Sequence, residues 1–191
     1  GGSIPPLGTI AARQGRHADA ASLLEEAVNL DPNAAQPRIN LGNTLIELDR
    51  IPDAQIQYRL AVSKGAGSGV AMRSSLLLPA IMESTSAIHE WRDKIGAELS
   101  RLSASPPRLR DPVTEVDRTL FYLSYHGVGN RDLHEAIARL YLQCCPELLY
   151  KAPHCPSYAG PGPRIRIGII SMYLFEHSIG KTTIGFMEQI D

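Results

Sequence analysis

Apolar residues recur at helical spacing along most of the first 150 residues, which favours a mostly α-helical chain. One face is formed by residues three or four positions apart, namely Ile88, Trp91, Ile95, Leu99 and Leu102. Ser84 precedes this face, and serine is a preferred N-cap because its hydroxyl accepts a free backbone N–H. Pro79 lies in an apolar cluster at residues 76–82, where it is expected to kink or split the segment.

A second helix is predicted after residue 130. Its apolar face would consist of Leu133, Ile137, Leu140 and Tyr141. Asn130 is placed to cap this helix, and Pro146 is placed to end it because proline has no backbone N–H. Between the two helices, residues 103–112 form a proline-rich connection.

The pattern changes near residue 152. Residues 152–163 contain four prolines and two glycines, which indicates a linker. The next apolar residues alternate and then run together, at Ile165, Ile167, Ile169 and Ile170. This pattern is typical of a buried parallel strand, and a helix is predicted to begin near Gly180. We therefore expect helices, then a linker, then one strand–helix unit.

The first 68 residues contain an internal repeat of 34 residues. The matched pairs are Leu7 and Leu41, Gly8 and Gly42, Ala20 and Ala54, Leu24 and Tyr58, and Ala27 and Ala61. The small residues Gly8 and Ala20 allow two antiparallel helices to approach closely, and Pro32 closes the first unit. The period and positions resemble the tetratricopeptide repeat, which stacks helical hairpins. Because about three such repeats are usually needed for stability, further repeats are expected upstream of Gly1.

The segment around Gly180-Lys181-Thr182 invites comparison with a phosphate-binding P-loop. That motif requires a first glycine at position 175, where the backbone approaches the phosphates, and this chain has Phe175 followed by Glu176. The sequence therefore excludes a P-loop, and no glycine pattern of a dinucleotide-binding fold follows the strand. What remains is His177 in a loop before a helix N-terminus, where histidine could accept a proton. From the residues alone, an ordinary surface or hydrogen-bonding histidine is the simpler interpretation.

Composition and charge further narrow the possible ligands of the protein. The net charge of −1 gives no bulk electrostatic case for nucleic acid or an anionic membrane. Cys144, Cys145 and Cys155 match no metal-binding spacing, so no metal is expected, and reduced thiols in the cytoplasm are the simplest interpretation.

Three segments together resemble the start of the catalytic region of protein O-GlcNAc transferases, a family that joins tetratricopeptide repeats to a two-lobed GT-B glycosyltransferase. They are FYLSYHGVGNRDLHEAIARLYLQCCPEL, APHC and RIRIGIISMYLFEHSIG, at residues 121–148, 152–155 and 164–180. The resemblance implies UDP-GlcNAc as donor substrate, without a further cofactor, and Ser or Thr of proteins as acceptors. A related branch glycosylates asparagine.

The resemblance also implies roles for individual residues. His177 would lie in the active site, and Ser178 and Gly180 would contact substrate. The repeats would bind the acceptor protein, with Asn40 and Asn43 holding its backbone if they face the concave side.

The expected organisation has four parts: two repeats in residues 1–68, a helical linker or capping region in 69–151, a Pro/Gly linker in 152–163, and the start of a Rossmann-like lobe in 164–191. Since the family's second lobe supplies most contacts to UDP, this stretch alone is expected to be inactive. The alternative is a non-catalytic tetratricopeptide scaffold that binds proteins.

Overall fold

The computed structural model describes residues 7–153, 155, 160, 168, 171 and 177–189. Over this part of the chain, all regular secondary structure is helical. The α-helices are α1 (Leu7–Arg13), α2 (His17–Leu30), α3 (Ala35–Glu47), α4 (Ile51–Ser63), α5 (Ser68–Ser75), α6 (Thr85–Ala104), α7 (Pro112–Val116), α8 (Arg131–Cys144) and α9 (Ser178–Met187). Two 3₁₀ segments cover Phe121–Tyr125 and Pro146–Leu149. None of the described helices combines the length and apolar composition needed to cross a bilayer.

The chain divides into two compact units, residues 1–150 and 151–191. The first unit contains α1 to α8, and the second contains α9. The strand predicted at residues 164–171 lies largely outside the described residues, so it stays a prediction. The helix expected near Gly180 begins at Ser178.

The predicted repeat is present as two helical hairpins, α1 with α2 and α3 with α4. A Cβ added at Gly8 would lie 2.6 Å from Cγ of Leu24, and one added at Gly42 would lie 2.7 Å from Cε1 of Tyr58. Both residues of the second contact lie 34 positions after their counterparts in the first contact. The small residues of the sequence period are therefore the places where paired helices come closest.

The turns inside the two hairpins also repeat. The N–H of Arg16 donates to the Ala11 carbonyl at 3.0 Å, and the N–H of Arg50 donates to the Leu45 carbonyl at 2.8 Å. The residue before each arginine, Gly15 or Asp49, has a positive φ, at 75° and 56°. The backbone thus follows the same path in both hairpins, although only the first has glycine at the left-handed position.

The buried side chains of the first unit form two clusters. The repeat cluster consists of Ala21, Leu24, Val28, Leu41, Leu45, Ile51, Ala54, Tyr58 and Leu77. The second cluster consists of Met72, Leu76, Leu78, Ile95, Leu99, Leu102, Leu109, Val116, Leu123, Leu140, Cys144 and Cys145. Half-buried Trp91 packs against both clusters, so it joins the repeats to the helices that follow them.

The N-cap predicted for α6 is confirmed. The hydroxyl of Ser84 accepts a hydrogen bond from the N–H of Ala87 at 3.1 Å, which satisfies one of the free donors of the first turn. Pro79 splits its segment as expected, because α5 ends at Ser75 and α6 begins only at Thr85.

Asn130 occupies the predicted position before α8, but its side chain does not cap that helix. Asn130 precedes α8, but its side chain accepts no hydrogen bond from that helix. Instead its Oδ1 accepts from the guanidinium of Arg92 at 2.6 Å, and its Nδ2 donates to the Leu123 carbonyl at 2.9 Å. The Arg92 guanidinium of α6 thus takes the side-chain oxygen that would have capped α8. Hydrogen bonds to charged groups are stronger than those between neutral groups, which favours this arrangement.

Candidate functional site

A groove of about 320 Å³ lies along the face shared by the first helix of each repeat. Most of its lining comes from α1 and α3, with two side chains from α2. The lining residues are Thr9, Ala12, Arg13, His17, Leu24, Asn40, Asn43, Thr44 and Glu47. Both asparagines predicted from the sequence therefore line the same groove.

Two pairs of groove residues occupy equivalent repeat positions. Thr9 and Asn43 are 34 residues apart, and so are Arg13 and Glu47. The first pair offers hydrogen-bonding groups, and the second pair offers charges of opposite sign. The 34-residue offset from Asn43 identifies Thr9 as a groove residue, whereas Arg13 follows in the same way only from Glu47.

Asn40 is held by one residue across the groove and by one residue of its own helix. Its Nδ2 donates to the Thr9 hydroxyl at 3.2 Å, and its Oδ1 accepts from Nε2 of Gln36 at 2.9 Å. The first bond crosses from α3 to α1, so Asn40 links the two repeats at the edge of the groove. Nδ2 keeps a second N–H.

The amide of Asn43 has one possible orientation. Its Oδ1 accepts from the Tyr58 hydroxyl at 2.5 Å and from the Arg73 guanidinium at 3.1 Å. Because a guanidinium can only donate, the atom facing Arg73 has to be the amide oxygen. Nδ2 of Asn43 forms no hydrogen bond with any described residue, so it is a donor of fixed orientation among the groove residues.

Arg73, which the sequence did not single out, holds this arrangement in place. Its side chain is buried, and it donates to the carbonyls of Val116 at 2.8 Å and Glu115 at 3.2 Å. Its guanidinium carbon also lies 5.8 Å from the ring centroid of Tyr58. One helical turn earlier, Gly69 allows α5 to approach the Glu115 backbone, since a Cβ there would lie 2.5 Å from that carbonyl oxygen.

The electrostatics around Asn43 favour a neutral Tyr58. Burial raises the pKa of the Tyr58 hydroxyl above its ordinary value, against the opposing effect of Arg73. A protonated hydroxyl is the donor that Asn43 requires. At the far end of the groove, Glu47 pairs with Arg118 at 3.3 Å.

His177 precedes α9 and caps it. Its Nδ1 accepts from the N–H of Ile179 at 3.2 Å, and its carbonyl accepts from the N–H of Lys181 at 3.0 Å. Exposed Ser178 and buried Gly180 lie in the same first turn. The three residues predicted at this site thus all lie at the start of one helix, whereas Asn40 and Asn43 belong to the other unit.

The cap engages one ring nitrogen of His177. Nδ1 accepts from the backbone of α9 itself, so any other donor to this nitrogen would have to displace the cap.

The cysteines and other possible ligands do not converge. Within the part of the chain that is described, no three residues among His, Cys, Asp and Glu are arranged to hold a metal ion. Cys144 and Cys145 are buried free thiols, and burial raises the pKa of both. They are therefore poor nucleophiles at neutral pH, because the reactive form is the thiolate.

Comparison with known proteins bears on the repeats. The family model of the tetratricopeptide repeat matches residues 11–70. No curated protein and no solved structure matches the chain. The chain therefore contains tetratricopeptide repeats, which generally provide binding surfaces for proteins. The resemblance of residues 121–191 to O-GlcNAc transferases stays a prediction.

Proposed function

We propose that the repeats bind an extended segment of a partner protein in the groove between α1 and α3. The observation that carries this proposal is the fixed amide of Asn43, whose Nδ2 has no hydrogen-bond partner among the described residues. Nδ2 is not among the buried atoms that lack a partner, so it is open to solvent in the free chain, and the carbonyl of an extended peptide would give it an acceptor in the direction that the fixed amide selects. Asn40, whose Nδ2 has a second N–H, would hold the next part of the same backbone.

The groove is suited to backbone recognition because its polar groups are pre-organised. Tyr58 and Arg73 hold Asn43, and Thr9 and Gln36 hold Asn40. Binding therefore does not require these side chains to lose further rotamer freedom, which lowers the entropic cost of association.

The test uses a variant that removes the Nδ2 donor of Asn43 but keeps the oxygen that holds this side chain in place. Peptides are selected from a random phage-displayed library against the chain, and their affinities are measured by fluorescence anisotropy. Asn43→Asp keeps the oxygen that Tyr58 and Arg73 need, but it replaces Nδ2 with an acceptor that repels a peptide carbonyl. We expect the affinity to fall by about tenfold or more, with no loss of thermal stability.

Asn33→Asp is the matched control. Asn33 is exposed outside the groove, and its Oδ1 accepts from Lys64 at 2.9 Å, so the same isosteric change leaves its bond in place. Its peptide affinity should equal that of the unchanged chain. Equal affinity for Asn43→Asp would exclude the groove as the binding site.

We also propose that the chain is part of a glycosyltransferase that transfers GlcNAc from UDP-GlcNAc to Ser or Thr of the bound partner. Support comes from the resemblance of residues 121–148, 152–155 and 164–180, and from the position of His177 at a helix N-terminus. Free N–H groups and the helix dipole favour negative charge at such a place. His177 would position the acceptor or assist its deprotonation, with Ser178 and Gly180 beside it.

Two substitutions of His177 test this role. The protein encoded by the whole reading frame is assayed for transfer of radiolabelled GlcNAc from UDP-GlcNAc to a peptide selected for the groove. His177→Asn replaces the capping Nδ1 with a capping oxygen, whereas His177→Ala leaves no capping group. If His177 acts on substrate, both variants lose transfer, while only His177→Ala loses helix stability. No transfer by the unchanged protein would overturn the transferase proposal and leave the non-catalytic scaffold.

A further inference from the structure

A second groove, with a volume of about 580 Å³, lies between α4, α5 and α6. It shares no lining residue with the groove between α1 and α3. Its apolar side chains include buried Leu77 and Ile95 and half-buried Trp91. A cleft of this size can enclose a few side chains of a ligand.

The charged residues that line this groove are mostly cations. Arg59, Lys94 and Arg101 face a single carboxylate, Glu98, which leaves a net charge of +2. Arg101 donates to Glu98 at 2.7 Å and to the Ser75 hydroxyl at 3.0 Å. The hydrogen bond from Arg101 lowers the pKa of Glu98, so the carboxylate is ionised and Arg101 is committed to it.

The other two cations form no salt bridge with a described residue, although the charge of Arg59 also helps to lower the pKa of Glu98. The ammonium of Lys94 lies 4.6 Å from the ring centroid of Trp91, and Arg59 forms no hydrogen bond within the described part of the chain. Both side chains are exposed, so they can reorient toward a ligand. The groove thus combines an aromatic wall with two cations that a ligand can pair.

We propose that the groove between α4, α5 and α6 binds a short acidic segment of a partner protein, with an aromatic or aliphatic side chain between acidic residues. The carboxylates pair with Arg59 and Lys94, and the apolar side chain packs on Trp91 and Leu77. Charge complementarity selects such a segment, while the apolar contact supplies affinity. Nucleic acid fits less well, because two cations neutralise few phosphates and the chain has a net charge of −1.

Trp91 makes the test direct, because it is the single tryptophan of the chain. The probe is the pentapeptide Glu-Asp-Phe-Asp-Glu with N-terminal fluorescein and an amidated C-terminus. Its anisotropy reports binding, and an unlabelled copy is titrated while Trp91 emission is recorded to locate it. We expect saturable changes in both signals, with affinity that weakens as salt rises.

The decisive variant is the double charge reversal Arg59→Glu with Lys94→Glu. It should weaken binding by about tenfold or more, because it replaces two attractive pairs with repulsive ones. The matched control is Lys151→Glu with Lys181→Glu, two exposed lysines outside the groove, which should bind as the unchanged chain does. Circular dichroism verifies that both double variants fold.

Several outcomes would overturn the proposal. These are no anisotropy change at peptide concentrations on the order of 1 mM, equal binding of the uncharged peptide Gln-Asn-Phe-Asn-Gln, and binding that leaves Trp91 emission unchanged and survives the charge reversal. A single-stranded oligothymidine that shifts Trp91 emission where the acidic peptide does not would assign the groove to nucleic acid instead.

Discussion

Gly42 lies against the ring of Tyr58 so closely that a Cβ would stand 2.7 Å from Cε1. Tyr58 is fully buried, and its hydroxyl donates to Asn43 beside that glycine. The ring therefore cannot move away without giving up a bond that defines the groove. Helix packing within the second repeat and the chemistry of the groove depend on the same contact.

Gly42→Ala should destabilise the first unit. The added methyl group overlaps a ring that is held on several sides, and overpacking of this kind costs about 1 to 3 kcal/mol. Urea unfolding followed by circular dichroism measures the change. The control is Gly96→Ala in α6, where a Cβ meets nothing within 4 Å. There alanine should stabilise the helix by up to about 1 kcal/mol, and an equal loss at both sites would contradict the packing argument.

Asp49→Gly should stabilise the second hairpin. Asp49 has φ 56°, and the equivalent residue of the first hairpin is Gly15. Relief of the left-handed conformation should exceed the entropy cost of glycine by about 0.5 to 1 kcal/mol. Thermal unfolding of the variant and the unchanged chain measures this gain in stability. Asp49→Ala separates the backbone effect from the lost charge, because it keeps a Cβ. A gain in stability for the alanine variant as large as that for glycine would rule out the conformational cause.

Arg73→Met should destabilise the chain strongly. The substitution removes donors from the carbonyls of Glu115 and Val116 and from Asn43, and buried acceptors left unpaired cost about 1 to 3 kcal/mol. We expect a total loss of about 2 to 4 kcal/mol in urea unfolding. Arg59→Met, at an exposed site, should change stability by less than about 0.5 kcal/mol. Similar values for the two variants would show that the bonds of Arg73 contribute little.

His126 should make the first unit less stable in mild acid. Its side chain is buried, and neither ring nitrogen has a hydrogen-bond partner among the described residues. Burial lowers its pKa below the ordinary 6.5, with a smaller contribution from the charge of Arg92. The unfolded chain therefore takes up a proton at higher pH than the folded chain does.

The direction in which stability changes with pH follows from that order of protonation. Stability from neutral His126 is fully present above pH 6.5 and is lost as pH falls below that value toward the lowered pKa of the folded state. Urea unfolding at pH 7.5 and 5.5 should show a smaller pH-dependent loss for His126→Phe than for the unchanged chain. An identical loss would assign the pH dependence to other groups.

The sequence predicted the repeats well because their geometry requires particular residue sizes. Gly8 and Gly42 lie where paired helices touch, so the packing constraint is visible as a 34-residue period. The cap at Ser84 was equally predictable, because a side chain bonds its own helix and the signal is local.

Other features depend on residues far apart in the chain. Arg73 bonds carbonyls 42 and 43 residues away, and backbone acceptors leave no trace in side-chain patterns. The Arg92 bond that displaced the local cap at Asn130 spans 38 residues. Asn40 and Asn43 could be placed on a helix, but the groove became recognisable only when α1 was packed beside α3. The strand before His177 and the chemistry of His177 stay predictions.

The buried guanidinium of Arg73 has a thermodynamic consequence. It contacts the amide that we propose faces a bound peptide, and it also contacts the carbonyls at the end of α7. Any ligand that binds only when Asn43 is correctly oriented must therefore also favour the docked state of α7. By reciprocity, whatever undocks α7 weakens the ligand by the same free energy. If the groove binds a peptide as proposed, the docking of this short helix outside the repeats sets part of the affinity.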